Sequence, residues 1–593
     1  MGERMKAYAV QLHLHGSMSE GAASCLAHDH MAAETGHVDV IWWTDHDFRV
    51  ANFGKFQRFS FTGLTEEVDQ PNRDPEAAER LARVAMTWRP VEGDAPPDAR
   101  VEVSPGLPYR EGGGTLRLAL PAAPESGAAG GQERRCTYEL RVGAHYETFP
   151  LATRPVVRLA LRPDSPLGAS AQVAVRFVLS EQPPDLEQSG LTYVLGAPPP
   201  GEVLLAQTEH GPREAVVSLP YRTGEWREYA FDLAADARRL GLRGGLDNAL
   251  HRLRIGVSSC GPAVTASFGH LEASVSHRGP GVLDLHRRLL AGLPTRVRHH
   301  VGLEISYYGR HVTGFGSGVP IPDYEALLPD GLSSEAVVAH IHRHGGLACL
   351  CHPPRTDPEG TAALLAERRL FGADMMEVAH AAAGLPERLR LWDALARRGL
   401  VVTGTGVSDA HSARVGWRAT ETRPVSWVTR IWAESPAEAD LLGGLRRGHV
   451  FFADPAEFRG EIELGAPGGV EMGDVAVLPH GAAAPELEAR VTGLRPGDLV
   501  AWLCNGALVR AAAVTGETLI DGWRPAVPVP AAGLLAVRLQ VIRPARATTA
   551  HEGIIACSNP VYLALASAPP ETGHRIRPLG DDARDAGPLR PRS

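Results

Sequence analysis

A chain of 593 residues is longer than one hydrophobic core can serve, so about three to five domains are expected. Apolar residues make up 44% of it and charged residues 22%, a globular balance that argues against wholesale disorder. The net charge of −9, with no long basic run, disfavours an obligatory nucleic-acid partner, and no stretch of 18 apolar residues marks a membrane helix.

The seven cysteines (Cys25, Cys136, Cys260, Cys349, Cys351, Cys504 and Cys557) form no CxxC pair and suit a reducing compartment. With no signal-peptide pattern ahead of the motif that begins by Gln11, a cytoplasmic location is expected. Cys349 and Cys351 flank His352, and alternation in a buried strand accounts for them.

In chain order, residues 8 to 15 read as a strand whose His13 and His15, two apart, leave on one face. Residues 24 to 36 are helix-compatible, and His37 to Trp43 is a second strand ending in Thr44-Asp45-His46-Asp47. Strand, helix and strand open an α/β unit. From about residue 60 to 275 the chain becomes punctuated by Pro and Gly, with short β-compatible runs that predict a sandwich. A few helical turns are expected to intervene, as at Glu76 to Val84. The segment Thr223 to Leu233 resembles jelly-roll modules of the carbohydrate-binding type. There Trp226 reads as core more readily than as a sugar platform, because its neighbours alternate in polarity.

Beyond residue 285, strands at His300 to Ser306, Leu347 to Cys351, Met375 to Ala379 and Leu400 to Thr403 alternate with helices at Ser333 to His344, Thr361 to Leu370 and Pro386 to Arg397. Ser333 or Ser334 caps the first of these helices and Gly345-Gly346 ends it. A last helix covers 433 to 448, alternation over 460 to 570 predicts a small β-sandwich, and the end is rich in Pro, Arg and Asp. The expected division is an α/β domain in two parts (1–60 and 281–458), an inserted β-sandwich (61–280), a C-terminal β-sandwich (459–572) and a flexible tail (573–593).

Six segments place ligand-type side chains near strand ends: His13-x-His15 with Glu20, Asp45-His46, Glu304, His311, His352-Pro353 and Asp409-x-His411. Singly, each reads as ordinary: an HxH arises by chance among 25 histidines, an Asp-His caps a helix, and a His-Pro is a loop. Their succession after α/β strands is what matters, because the C-terminal ends of parallel strands converge on one rim. Buried carboxylates and imidazoles in that number are best satisfied by divalent cations, with zinc, manganese or iron as the candidates.

Gln11-Leu12-His13-Leu14-His15-Gly16 through Glu20, then Thr44-Asp45-His46, resemble the opening motifs of the PHP-domain metallohydrolases. Gly302-Leu303-Glu304, Arg310-His311, Cys351-His352-Pro353, Met376-Glu377-Val378 and Ser408-Asp409-Ala410-His411 follow in that family's order, nearest in flavour to its CehA/McbA-like branch. The resemblance implies a distorted seven-stranded (β/α) barrel holding two or three metals. His13, His15, Glu304 and Asp409 would hold one metal, Glu20, His46 and His411 would surround a second, and Glu304 would bridge to a third held by His311 and His352. Glu20 stands where Asp or His is usual, and Arg310 where Gly often precedes the histidine.

A hydroxide bridging two cations would then attack phosphorus or a carbonyl carbon. Asp45 is a candidate to orient the water or a ligand, Arg310 and Arg355 to stabilise developing charge, and His380 to protonate the leaving group. For the last three, an ordinary surface or strand-end role weighs at least as much. Phosphoester hydrolysis is the first expectation, and carbamate, ester or amide hydrolysis the second. A glycan-binding protein with a structural metal is the third. The substrate is expected to be a small molecule, phosphorylated or glycan-linked.

Overall fold

Strand Lys6–Gln11 anchors the α/β part, and its alternating and then continuous burial suits a strand covered on both faces. The computed structural model describes residues 5–19, 21–35, 37–50, 58–71, 81–105, 108–111, 113–123, 133–141, 149–196, 202–306, 311–323, 333–380, 384–417, 426–480, 482–526, 529–530, 533–546, 552–567, 570 and 572–578. Lys6–Gln11 pairs in parallel with Val40–Trp43, which pairs in parallel with Arg298–Val301. On its other side it runs antiparallel to Val428–Ala433.

At Gly302 the chain changes sheets. Its N–H donates to the Trp43 carbonyl at 2.7 Å, and a Cβ on it would stand 2.5 Å from the carbonyl oxygen of Gly314. Leu303–Ile305 then pairs with Val312–Phe315 and begins a second sheet, continued by Leu347–Leu350, Met375–His380 and Thr403–Val407. Val10, Val40, Trp42, Phe315, Leu347, Met375 and Ile431 form a core shared by the two sheets. The α/β part is therefore mixed, and among the described residues no hydrogen-bonded ring closes the expected seven-stranded barrel. Two isolated bridges, Leu14 with Ala410 and His46 with Glu304, tie one sheet's rim to the other's.

The expected helices are present at Cys25–Thr35, Ser334–Arg343, Pro358–Glu367, Leu385–Arg397 and Glu438–Arg447. Ser333 caps the second of them by accepting from the Ala336 N–H, and Gly345 follows it with φ of +76°. No helix among the described residues is long and apolar enough to cross a membrane, and all seven cysteines are unpaired.

Between the α/β halves, a six-stranded and an eight-stranded sheet pack around Phe59, Trp88, Phe177, Tyr193, Phe231 and Phe268. The helical turns expected near Glu76 to Val84 give way to strand Leu81–Pro90, and residues 72–80 lie outside the described set. Trp226 is half-buried against Tyr109 and beneath the Arg162 guanidinium.

The C-terminal strands continue the first sheet, because Val450–Ala453 pairs with Ile554–Ser558 and the ladder runs on through Leu535–Ile542, Val561–Leu565 and Val475–Leu478. Ile576–Pro578 adds a parallel strand at its edge, so the start of the expected tail is bound into the sheet. Residues 579–593 lie outside the described set.

A buried ion pair locks these strands to helix Leu385–Arg397. Arg538 Nε and Nη2 donate to the two oxygens of Asp393 at 3.0 and 2.7 Å, with both side chains almost wholly covered. Removing one partner strands a buried charge, so Arg538→Met is expected to cost about 3 to 5 kcal/mol of stability. The urea midpoint of the variant measures this, and Asp393→Leu added to it should recover much of the loss.

Candidate metal centre

His13 and His15 extend the line of strand Lys6–Gln11, and the bridge from Leu14 to Ala410 keeps that segment extended. Both imidazoles therefore leave on one side, buried at 1% and 0% exposure. Their Nε2 atoms lie 3.2 Å apart. Glu304 Oε2 stands 3.2 Å from the first and 3.3 Å from the second, and Asp409 Oδ1 stands 3.5 and 3.1 Å from them.

Hydrogen bonds alone do not account for this packing. One imidazole N–H cannot serve three neighbours at once, and two facing nitrogens at 3.2 Å share at most one proton. A divalent cation held tetrahedrally at about 2.0 to 2.1 Å needs donor atoms about 3.3 to 3.4 Å apart. The five separations, from 3.1 to 3.5 Å, bracket that value.

Glu304 joins this quartet to further imidazoles. His46 Nδ1 is 2.9 Å from Oε2, while on the other oxygen His311 Nδ1 lies at 2.5 Å and His352 Nε2 at 3.5 Å. The His411 ring stacks on His15 with centroids 4.2 Å apart, and donor atoms of His15, His46 and His411 fall within 4.8 Å of one another, as do those of His46, Glu304 and His311. Two of these residues, His352 and Asp409, have left-handed backbone, with φ of 27° and 49°. Such conformations cost about 1 to 3 kcal/mol each and gather where a side chain must be aimed.

The electrostatics match a cluster that awaits positive charge. Burial opposes ionisation of Glu304 and Asp409, yet the surrounding imidazoles hold both carboxyls well below their usual range. Burial likewise opposes a charge on His13, but Glu304, Glu377 and Asp409 together raise its pKa well above the usual value. Cys351 also borders His13 and Glu377. Burial, with the charges of those acids, pushes its thiol well up.

Of the other residues singled out in the sequence, His380 joins the cluster, its Nε2 3.2 Å from Asp409 Oδ2. Asp45 is turned to the loop before the first helix, where its Oδ1 accepts from the Gly16 N–H at 2.8 Å and the Ser19 hydroxyl at 2.6 Å. Arg355 is exposed, and its stem crosses the backbone at Gly384. Glu20 and Arg310 lie outside the described residues.

Three supporting groups were not among the candidates. Glu377 accepts from His13 Nδ1–H at 2.6 Å and from the His352 backbone N–H at 2.6 Å, and its place in the Met376-Glu377-Val378 motif, within strand Met375–His380, was a usable signal. The other two come from the inserted sandwich. Asp247, fully buried, accepts from the Ser17 hydroxyl at 2.6 Å and from the N–H groups of Cys25 and Leu26 at 2.9 and 2.8 Å. Glu181 accepts from the Ser412 hydroxyl at 2.8 Å and the Ala413 N–H at 2.9 Å, next to His411. Nothing local in the sequence announces contacts between segments more than 200 residues apart.

No family model matches the chain, and no curated protein matches it. Among solved structures it is similar to a two-domain protein from Bacteroides vulgatus containing a predicted PHP-like metal-dependent phosphoesterase. That similarity spans 49% of this chain and 81% of the other, at 13% identity and a TM-score of 0.25. A family 12 xyloglucanase from Bacillus licheniformis covers 36% of this chain and 99% of its own, at 7% identity and a TM-score of 0.23. The glycoside hydrolase domain of Endo-D from Streptococcus pneumoniae covers 33% of this chain and 22% of its own, at 16% identity and a TM-score of 0.18. With every score under 0.5, no functional conclusion rests on these likenesses.

If the insertion braces the centre, Asp247→Ala should lower affinity for Zn²⁺ or Mn²⁺ by about 10- to 100-fold, the usual effect of losing a partner behind the ligands. Equilibrium dialysis with elemental analysis reads this directly. Wild-type affinity in Asp247→Ala, with the fold intact, would show that the sandwich does not support the site.

Proposed function

We propose that the chain is a hydrolase of the PHP type that uses two or three divalent cations to cleave phosphoesters. The observation that carries this reading is the convergence of His13, His15, Glu304 and Asp409 at separations that suit a bound cation, with Glu304 shared by a second group of imidazoles. The nitrogen and oxygen donors of these four residues suit zinc, manganese or iron. Structural zinc sites close at four ligands, and this centre offers more than four.

When bound, the cations supply a water acidified toward neutrality and a clamp on the electrophile. Glu377 fixes the His13 tautomer: Nδ1–H donates to the carboxylate, leaving the Nε2 lone pair for a cation. Glu304 keeps two groups of ligands in register through its two oxygens. His380, buried beside Asp409, is placed to hold a proton for a leaving group at the rim. Arg355 adds positive charge there. The same centre would serve a carbamate, ester or amide, as its resemblance to the CehA/McbA-like branch suggests. Phosphoesters come first, because paired cations suit an in-line displacement in which both the attacking and the leaving oxygen carry charge.

Purified protein is expected to carry more than one equivalent of transition metal by elemental analysis, and to hydrolyse p-nitrophenyl phosphate or its bis ester with Mn²⁺ or Zn²⁺. His13→Ala should lower kcat/KM by more than about a hundredfold, since even partners of ligands are worth 10- to 100-fold. Full activity in a metal-free His13→Ala protein would sink the site as drawn. Turnover of 1-naphthyl N-methylcarbamate with no phosphoester turned over would reverse the order of substrates.

A further inference from the structure

Arg388 lies in the first turn of helix Leu385–Arg397, at the end of the helix that follows strand Met375–His380. It is 2% exposed, and its buried Nε and Nη1 have no hydrogen-bond partner among the described residues. A guanidinium keeps its charge at any ordinary pH, and an unpaired buried charge is among the most destabilising features a fold can carry. Burial pushes its pKa down to about 10, against the pull of Glu377. That carboxylate makes no ion pair with Arg388, and its two oxygens accept from His13 Nδ1–H and the His352 backbone N–H.

The charged groups that face it carry both signs, since Glu377 and Glu387 attract the guanidinium and Arg355 opposes them. Arg355 repels Arg388 electrostatically, and its stem crosses Gly384, where an added Cβ would stand 2.2 Å from Arg355 Cδ. Gly384 is the N-cap, with φ of +110°, and as a glycine it supplies no side-chain cap to the thirteen-residue helix. A helix N-terminus carries about half a positive charge. Two guanidinium groups and a helix N-terminus thus meet beside Glu377 and His352, on the rim of the candidate metal centre.

We infer that Arg388, with Arg355 and this helix N-terminus, forms the subsite for a phosphate group of the substrate, and that the substrate supplies the partner Arg388 lacks. The inference rests on the hydrolase reading above and names a substrate-binding residue for it. A phosphate group fits better than a carboxylate, because it carries more charge and has oxygens enough to meet the Arg388 fork and the helix N–H groups together. Arg388 is then held unpaired in the free protein, at a cost in stability that binding recovers.

The test uses full-length, metal-loaded protein with inorganic phosphate as probe, read by thermal shift and calorimetry, and p-nitrophenyl phosphate as substrate. Phosphate should raise Tm in the wild type more than acetate does at equal concentration. Arg388→Met should fold at least as stably as wild type without phosphate, bind phosphate more than about tenfold more weakly, and raise KM more than it lowers kcat. If the Met variant does not fold, Arg388→Lys decides. It should bind phosphate several-fold more weakly at unchanged metal content, since an ammonium lacks the fork.

If the wild type hydrolyses p-nitrophenyl phosphate while Arg388→Met or Arg388→Lys keeps its KM and phosphate affinity, the subsite is overturned and the hydrolase reading stands. If acetate shifts Tm as much as phosphate does, the phosphate assignment falls. A metal-loaded wild type that neither turns over a phosphoester nor responds to phosphate overturns both proposals.

Discussion

Glu304 is the carboxylate around which the centre is arranged. Five imidazoles, from His13, His15, His46, His311 and His352, approach its two oxygens at 2.5 to 3.5 Å, and the group is 1% exposed. Water cannot disperse so much polarity at that depth, so the charge must be balanced by protons or by cations. Its position depends on Gly302, two residues earlier, which lets the chain pass close to Gly314 as it leaves one sheet for the other. A side chain at 302 would meet backbone, and Glu304 would lose the placement that puts it between both sheets.

The same constraint explains why distant parts of the chain reach into this rim. A cluster of like ligands repels itself unless its loops are held, and the holding groups here come from outside the α/β part. Asp247 and Glu181 of the insertion cap the segments that follow His15 and His411. From the C-terminal strands, Asn559 clasps both the N–H and the carbonyl of Gly404 at 2.8 Å, in the strand that delivers Asp409. The three parts of the chain are separate in composition, and they meet at one place in space.

What could be read from the sequence followed local rules. The i, i+2 spacing of His13 and His15, the Ser333 cap and the alternation of strands and helices after residue 285 are short-range signals, and they correspond to described elements. Glu377 was visible as part of the Met376-Glu377-Val378 motif but was given no role, because nothing nearby says which way its carboxylate turns. Asp45 shows the converse: its place next to His46 suggested chemistry, whereas its hydrogen bonds hold the loop at Gly16 and Ser19. The closed barrel was an expectation from resemblance, and the described strands instead divide where Gly302 switches partners. Asp247, Glu181 and Arg388 carry no motif, since their meaning lies wholly in long-range contacts or in the lack of them.

Helix Leu385–Arg397 joins these observations. Asp393 is five residues beyond Arg388, a rise of about 7.5 Å along the axis, and its carboxylate is gripped by Arg538 of the C-terminal sheet. One end of the helix is therefore fixed by a satisfied buried charge, while the other presents an unsatisfied one at the rim. A guanidinium free to swing would find water or a carboxylate and relieve itself. Arg388, whose buried Nε and Nη1 have no hydrogen-bond partner among the described residues, is carried on a helix that is clamped at a distance. The Asp393–Arg538 pair thus ties the helix that carries Arg388 to the C-terminal sheet.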